Sequence, residues 1–283
     1  MFASRRSSPV TVRRSTRVAL AGAAALSLLS LASCANNSST ATSAPAASGV
    51  SLVNPGKLTV CTHLAYKPFQ YKDTSGKIVG FDVDLMDVVA KKLNVTQEIV
   101  DIEFGQITSG AVFAAKKCDA GAAAITITDK RKESTAFADP YFKSTQALLV
   151  KADSGITKME DLKGKVLAVQ TDTTGKDYAD KNASAMGYTT KVFDDLPSSA
   201  NAVLGGTVGG AINDNGVMYD FAKDNPTTKV VQEFQTGEEY GFNLGKDNTA
   251  LLTAMNDALK AAKADGTYNT IYKKWFGVDA PKS

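Results

Sequence analysis

Residues 125–142, ITITDKRKESTAFADPYF, put one arginine where it could hold an anion. β-Branched residues read as buried strand, and Asp129-Lys130-Arg131-Lys132 reads as a solvent-facing turn. Either the strand ends there and a polar surface helix begins, or Arg131, fixed just past a rigid strand end, holds something negative. A guanidinium suits that task, because it gives a carboxylate two parallel charge-assisted hydrogen bonds. The rest of the reactive inventory is thin. His63 is the single histidine, and the absence of a Cys/His cluster excludes a structural zinc site. No nucleophile stands beside a base, and no metal or cofactor is expected.

The chain has 283 residues, room for two ordinary domains but not three, with 43% hydrophobic and 22% charged residues. Its net charge of +3 misleads. Five of the 32 basic residues (Arg5, Arg6, Arg13, Arg14 and Arg17) fall within the first 33, which hold no acid. The remainder carries 27 basic against 29 acidic residues, a net of −2. A nearly neutral chain without a basic patch gives no reason to expect nucleic acid as a partner.

Those arginines precede an apolar run, residues 18–32, too short for a membrane span. Residues 1–33 therefore read as a secretory signal peptide. Its end, Leu31-Ala32-Ser33-Cys34, resembles a bacterial lipobox, which implies lipidation of Cys34. The alternative is an ordinary signal with a chance cysteine. Residues 34–54 then comprise the lipidated cysteine and a flexible Ala/Ser/Thr/Asn tether. The expected location is extracytoplasmic, anchored by lipid to the outer face of the cell membrane. Cys61 and Cys118 remain; outside the cytoplasm they either form a disulfide or sit as two buried thiols on neighbouring strands.

The elements that position these residues alternate. Strands are expected over 57–61, 97–104 and 121–128, with helices over 84–93 and 109–117; this β-α-β-α-β order implies a parallel sheet. A second series follows, with strands over 166–170, 190–193, 210–213 and 229–232 and helices over 175–186, 198–205 and 217–224. The apolar segment 146–150 (QALLV) belongs cleanly to neither series. Extended residues 239–244 precede helices over 249–264 and 268–275, whose Leu251, Leu252, Met255, Leu259, Ile271 and Trp275 need a sheet to pack on. The second series is complete without them, so they return to the first lobe. The expectation is lobe 1 from 55–144 plus 238–283, and lobe 2 from 145–237 with hinge strands at both ends. Open α/β sheets bind ligands at the carboxyl ends of their strands, so two facing sheets make a cleft.

Three separated stretches, GFDVDLMDVVAKKL, ITITDKRKESTAFADPYF and DGTYNTIYKKWFG, resemble the periplasmic binding proteins for polar amino acids. The resemblance spans nearly all of 57–277. It implies an α/β type II periplasmic-binding-protein fold: two α/β lobes, a two-stranded hinge and a ligand cleft between them. It further implies a monomer that closes on a free polar amino acid and delivers it to the transmembrane subunits of an ABC permease.

By position, the resemblance makes Arg131 the grip on the ligand α-carboxylate, with Ala124, Thr126, Thr173 and Thr174. It assigns the α-amino group to Asp214, Ala124 and Thr126. The ligand side chain falls to His63, Gln170 and Asn213, with Tyr66 and Phe104 as an aromatic sandwich. Simpler readings stand beside these: core packing for the aromatics, a helix cap for Asp214, Thr173 and Thr174. His63 replaces an aspartate of several relatives, which disfavours a cationic ligand, and Gln170 suits an amide or hydroxyl. Asp172 replaces a glycine in the carboxylate loop. Glutamine is favoured, with glutamate next. The alternatives are a sensor for a signalling partner, or an enzyme resembling cyclohexadienyl dehydratases with His63 and Glu103 as acid and base.

Overall fold

The computed structural model describes residues 49–281. The signal 1–33, Cys34 and the tether as far as residue 48 lie outside them. The last expected tether residues are tied to the body: Val53 N–H donates to Asp119 Oδ1 at 2.6 Å, and Val50 and Leu52 pack on the core. The tether reading therefore extends too far, because apolar residues punctuate its end.

In chain order the first part comprises β1 (Lys57–Thr62), β2 (Tyr71–Lys72), β3 (Ile78–Val79), α1 (Phe81–Lys92) and β4 (Thr96–Asp101). It continues through α2 (Phe104–Thr108), α3 (Ala111–Ala114), β5 (Ala120–Gly121), α4 (Asp129–Lys132) and β6 (Ala136–Phe137). The second part holds β7 (Phe142–Lys151), a 3-10 turn (Met159–Leu162), β8 (Val166–Gln170), α5 (Thr174–Met186), β9 (Thr189–Phe193) and α6 (Leu196–Leu204). After it come β10 (Gly210–Asp214), α7 (Asn215–Asp224) and β11 (Thr228–Tyr240). The chain closes with β12 (Asn243–Leu244), α8 (Thr249–Ala264) and α9 (Thr267–Phe276).

Ten of these strands build two five-stranded sheets, ordered β4-β1-β5-β12-β6 and β11-β7-β10-β8-β9, while β2 and β3 pair with each other. Each is the centre of one α/β lobe, and the chain passes between them twice, once into β7 and once out of β11. β7 and β11 pair antiparallel along their length, from Thr228 with Lys151 to Tyr240 with Phe142. At the crossing, Phe69 packs edge-on against Phe142 and Tyr240, with centroids 5.0 and 5.3 Å away.

Neither sheet is purely parallel. β1 pairs parallel with β4 and β5, but β12 enters antiparallel to β5 and β6. β7 likewise runs antiparallel to β10. Both reversals belong to strands that come straight from the crossing without a helix to turn them round. QALLV, the later part of β7, belongs to the second sheet, where Ala147 to Val150 are fully buried.

Other differences lie near the site. The expected strand 97–104 stops at Asp101, and Phe104 instead opens α2. The expected helix 109–117 is broken by Gly110, whose left-handed φ of 79° reduces the remainder to one turn. Of the expected strand 121–128, only Gly121 joins a ladder, and Thr126 bridges singly to Tyr240. The closing helices do return to the first lobe: Leu251, Met255 and Leu259 share a buried cluster with Leu85, Met86 and Val89. α9 buries no residue fully, but Lys274 Nζ and Trp275 Nε1 reach Asp84 Oδ2 on α1 at 2.6 and 2.7 Å.

Candidate ligand-binding site

Between the lobes, residues of both surround a cavity with about 330 Å³ of empty space, open solvent at its mouth included. The first wall begins where β1 ends. Phe81 and Asp82 at the start of α1 donate their N–H groups to Pro68 O and Phe69 O, docking the turn that carries Tyr66. Gly80 makes that approach possible: at φ 148°, a Cβ would stand 1.9 Å from Phe69 O. Tyr66 is 7% exposed, and its hydroxyl crosses the cleft to lie 2.7 Å from Asn213 Oδ1 and 2.8 Å from Asp214 Oδ2.

Arg131 sits on the single-turn helix α4, where Thr128 Oγ1 accepts its N–H as N-cap. Lys130 and Lys132 are exposed while Arg131 is buried, so the charged turn is a surface helix that turns one cation inward. Arg131 Nη1 donates to Thr126 O at 2.7 Å, and Nη2 crosses the cleft to Asp172 O at 2.9 Å. The guanidinium lies 5.3 Å from the Phe104 ring centroid. Burial lowers its pKa, opposed by the negative charges of Asp214 and Glu238.

Ala124 also lines the cavity, at a left-handed φ of 48°. Its N–H donates to the fully buried Asp82 Oδ2 at 2.8 Å. The N–H is therefore engaged, so Ala124 has only its carbonyl to offer. A carbonyl serves an ammonium and not a carboxylate, which corrects half of the expectation for this residue.

The second wall is the carboxyl end of β8 and β10. Gln170 Oε1 accepts from Asn213 Nδ2 at 3.0 Å, so Asn213 stands behind Gln170 rather than on the cavity wall, against expectation. Thr173 caps α5: its hydroxyl accepts Lys176 N–H at 3.1 Å and donates to Gln170 O at 2.8 Å. The simpler cap reading thus holds for its side chain. Asp172, at φ 58°, turns its carboxylate toward Gly105 of the first lobe and gives Arg131 only its carbonyl.

Asp214 is 5% exposed and makes no side-chain cap to α7. Its carboxylate accepts from Tyr66, Tyr240 and Gln146. Burial first, and the neighbouring charge of Glu238 second, push its pKa up to about 6, opposed by those hydrogen bonds. Burial raises the Tyr66 and Tyr240 phenols well above their ordinary range.

Two wall atoms are left unpartnered. His63 Nδ1 lies 3.0 Å from Ile102 O and must donate to it, which leaves Nε2 buried with no hydrogen bond. Gln70 Nε2 donates to His63 O at 3.3 Å, leaving Oε1 in the same condition. Glu103 is exposed at the N-cap of α2 and takes no part in the wall. Below Phe104, Cys61 and Cys118 are joined as a disulfide, with Cα atoms 5.7 Å apart.

Sequence reasoning missed Gln70, Gln146, Glu238 and Tyr240. Gln146 and Tyr240 lie on the crossing strands β7 and β11, among apolar neighbours that carry no sign of a polar site. Glu238 stands in TGEEYG, which reads as a polar turn. A glycine could have signalled Gln146: a Cβ on Gly175 would lie 2.5 Å from Gln146 Oε1, so the helix start is pared back to admit the amide.

Residues 58–278 match the model for bacterial extracellular solute-binding proteins, family 3. The chain is 34% identical over 211 residues to the ABC transporter glutamine-binding protein GlnH of Bacillus subtilis (strain 168), covering 73% of this chain and 76% of that one. Among solved structures it is similar to an ancestral arginine-binding protein bound to arginine, with TM-score 0.74, 41% identity, and 78% of this chain and 99% of that one covered. An ancestral arginine-binding protein bound to glutamine gives TM-score 0.74 and 39% identity, covering 80% and 100%.

Proposed function

Because the chain belongs to the family 3 bacterial extracellular solute-binding proteins, we propose that its cleft closes on free L-glutamine, with L-glutamate next, and presents it to an ABC importer. One observation carries the choice of ligand. The cavity wall holds one carboxylate, Asp214, and one guanidinium, Arg131. An amino acid's α-ammonium and α-carboxylate match these one to one, leaving no wall acid for a cationic side chain. A buried cation without a counter-charge is costly.

The neutral residues supply the complement of a carboxamide. His63 Nε2 and Gln70 Oε1 are unpartnered acceptors for its NH2 group. Gln170 Nε2, held only by a long 3.5 Å contact to Asp194 O, is a donor for its carbonyl. Tyr66 and Phe104 flank the aliphatic stem. The ligand bridges Arg131 of one lobe and Asp214 of the other, so only the closed state makes both sets of contacts and binding favours closure. We further propose that the lipidated Cys34 keeps the monomer beside its permease.

A melting screen of the chain from Ser51 against the twenty amino acids tests this reading. A ligand at a hundred times its dissociation constant adds about 2.7 kcal/mol, a rise of roughly 5–10 °C. The largest shift is expected with glutamine. A larger shift with arginine or lysine would refute the charge argument, and no shift with any amino acid would refute the binding function.

A further inference from the structure

Two hydroxyls on opposite walls of the cavity converge on one carboxylate oxygen that is not part of the wall. Thr126 Oγ1 of the first lobe and Thr174 Oγ1 of the second donate to Glu238 Oε2 at 3.0 and 2.9 Å. Gln146 Nε2 lies 3.2 and 3.1 Å from the two oxygens of the same carboxylate, and also donates to Asp214 Oδ1. Glu238 itself stands on β11, just past Gly237 at the bulge where the pairing with β7 shifts register.

The polarity of this cluster is fixed by valence. A carboxylate only accepts, and a hydroxyl has one proton. Both threonine protons therefore point at Glu238; Gln146 Nε2 also lies 3.3 Å from Thr174 Oγ1, so Thr174 keeps one lone pair for a ligand and Thr126 keeps two. Neither can donate to a ligand carboxylate; both can accept from a ligand N–H. Asp214 accepts as well, and Ala124 retains only its carbonyl because its N–H is held by Asp82.

We propose that Glu238 is a positioning residue for the ammonium end of the ligand: it fixes Thr126 and Thr174 as acceptors, which join Asp214 in binding the three N–H bonds of an α-ammonium and leave the α-carboxylate to Arg131. The inference rests on the reading of the ligand as a free α-amino acid. It gives the Thr174 hydroxyl to the ammonium end, while the Thr174 N–H at the start of α5 stays available to the carboxylate, and it assigns a role to a hinge-strand residue outside the cavity wall. Since Thr126 and Thr174 belong to different lobes, the arrangement is complete only when the cleft is closed.

The test compares an amino acid with its 2-hydroxy counterpart, which has the same carboxylate and side chain but no ammonium. L-Glutamine and L-arginine, each paired with its 2-hydroxy acid, are titrated calorimetrically into the wild-type protein, Glu238→Ala and Thr174→Val. Wild type should prefer the amino acid by on the order of a hundredfold. In Glu238→Ala the oxygen that accepts both threonine protons is gone, so each hydroxyl is free to turn its proton into the cavity. The preference should narrow by about tenfold or more, while affinity for the hydroxy acid stays within about threefold. A role confined to holding the fold would weaken both ligands alike; an unchanged ratio overturns the proposal. Thr174→Val, with Glu238 intact, should narrow the ratio too, and an unchanged ratio there overturns it even if Glu238→Ala fails to fold. A wild-type protein that binds none of the twenty amino acids refutes the amino-acid reading itself, before any variant is measured.

Discussion

Tyr66 and Asp214 lie on opposite lobes with their oxygens 2.8 Å apart, so one phenol both walls the cavity and joins its two sides. Tyr66→Phe keeps the ring against the ligand and removes the bridge. A hydrogen bond to a charged group is worth about 1.5–3 kcal/mol, so affinity should fall roughly tenfold or more. Stopped-flow should show the loss in the dissociation rate. An unchanged dissociation rate would mean that this bridge does not hold the cleft closed.

Arg131→Ala should be far more damaging. It removes the one guanidinium of the wall and leaves a bound carboxylate buried without its partner, a cost of roughly 3–5 kcal/mol. Titration should find affinity reduced by about two to four decades. Arg131→Lys should recover little, since an ammonium cannot reach both Thr126 O and Asp172 O as the two guanidinium nitrogens do. A loss below about tenfold in the alanine variant would refute the carboxylate role.

The raised pKa of Asp214, about 6, gives binding a direction in pH. A ligand ammonium pairs with the ionised carboxylate, so affinity should be full above about pH 7 and fall as pH drops through 6, approaching tenfold per unit. His63, Arg131, Glu238, Tyr66 and Tyr240 also face or neighbour this group, so the control is Asp214→Asn, in which the slope between pH 7 and 5 should flatten. Titrations across that range decide it; an equal slope in the variant would assign the dependence to another group.

Outside the cavity, Lys67 Nζ of the first lobe pairs with Asp224 and Asp220 of α7 at 2.7 and 3.3 Å. The Lys67 side chain is 40% exposed, so the pair is worth no more than about 1 kcal/mol. Lys67→Ala should weaken every ligand equally, by less than about fivefold, and the difference should vanish at high salt. A change in the ranking of ligands would show that the pair also shapes the cavity.

Some of this was readable in the sequence and some was not, for physical reasons. α8 was predictable to the residue because its apolar stripe repeats at helical spacing between an Asn248 cap and the polar Asp265. Arg131 could be singled out because its charged turn follows a β-branched run inside a stretch that resembles a known family; the turn alone fits a plain surface helix equally well. QALLV could not be given to either series because strand propensity says nothing about which sheet a strand joins. Phe104 was misread because a buried aromatic serves the end of a strand and the start of a helix alike. The Glu238 cluster was invisible because its three partners, Thr126, Gln146 and Thr174, lie 64 to 112 residues from Glu238, and local pattern does not record such meetings.

The Cys61–Cys118 bond closes a segment with sequence separation 57, linking the end of β1 to the approach to β5. Cross-linking over that length is worth about 4 kcal/mol in the chain-entropy account, so reduction or Cys118→Ser should lower Tm by roughly 8–16 °C. Calorimetry with and without reductant checks this. A shift below about 2 °C would mean that packing alone holds the two segments together.

The place of β12 has a consequence for the order in which the molecule is made. In the first sheet β12 stands between β5 and β6, yet it follows both in the chain, with the whole second lobe in between. A chain synthesised from its amino terminus has β1, β4, β5 and β6 in hand early, but must leave a slot in that sheet until Asn243 and Leu244 arrive. The lobe that begins first is finished last, so a chain stopped short of residue 243 would keep a complete second lobe beside a first one with an open seam.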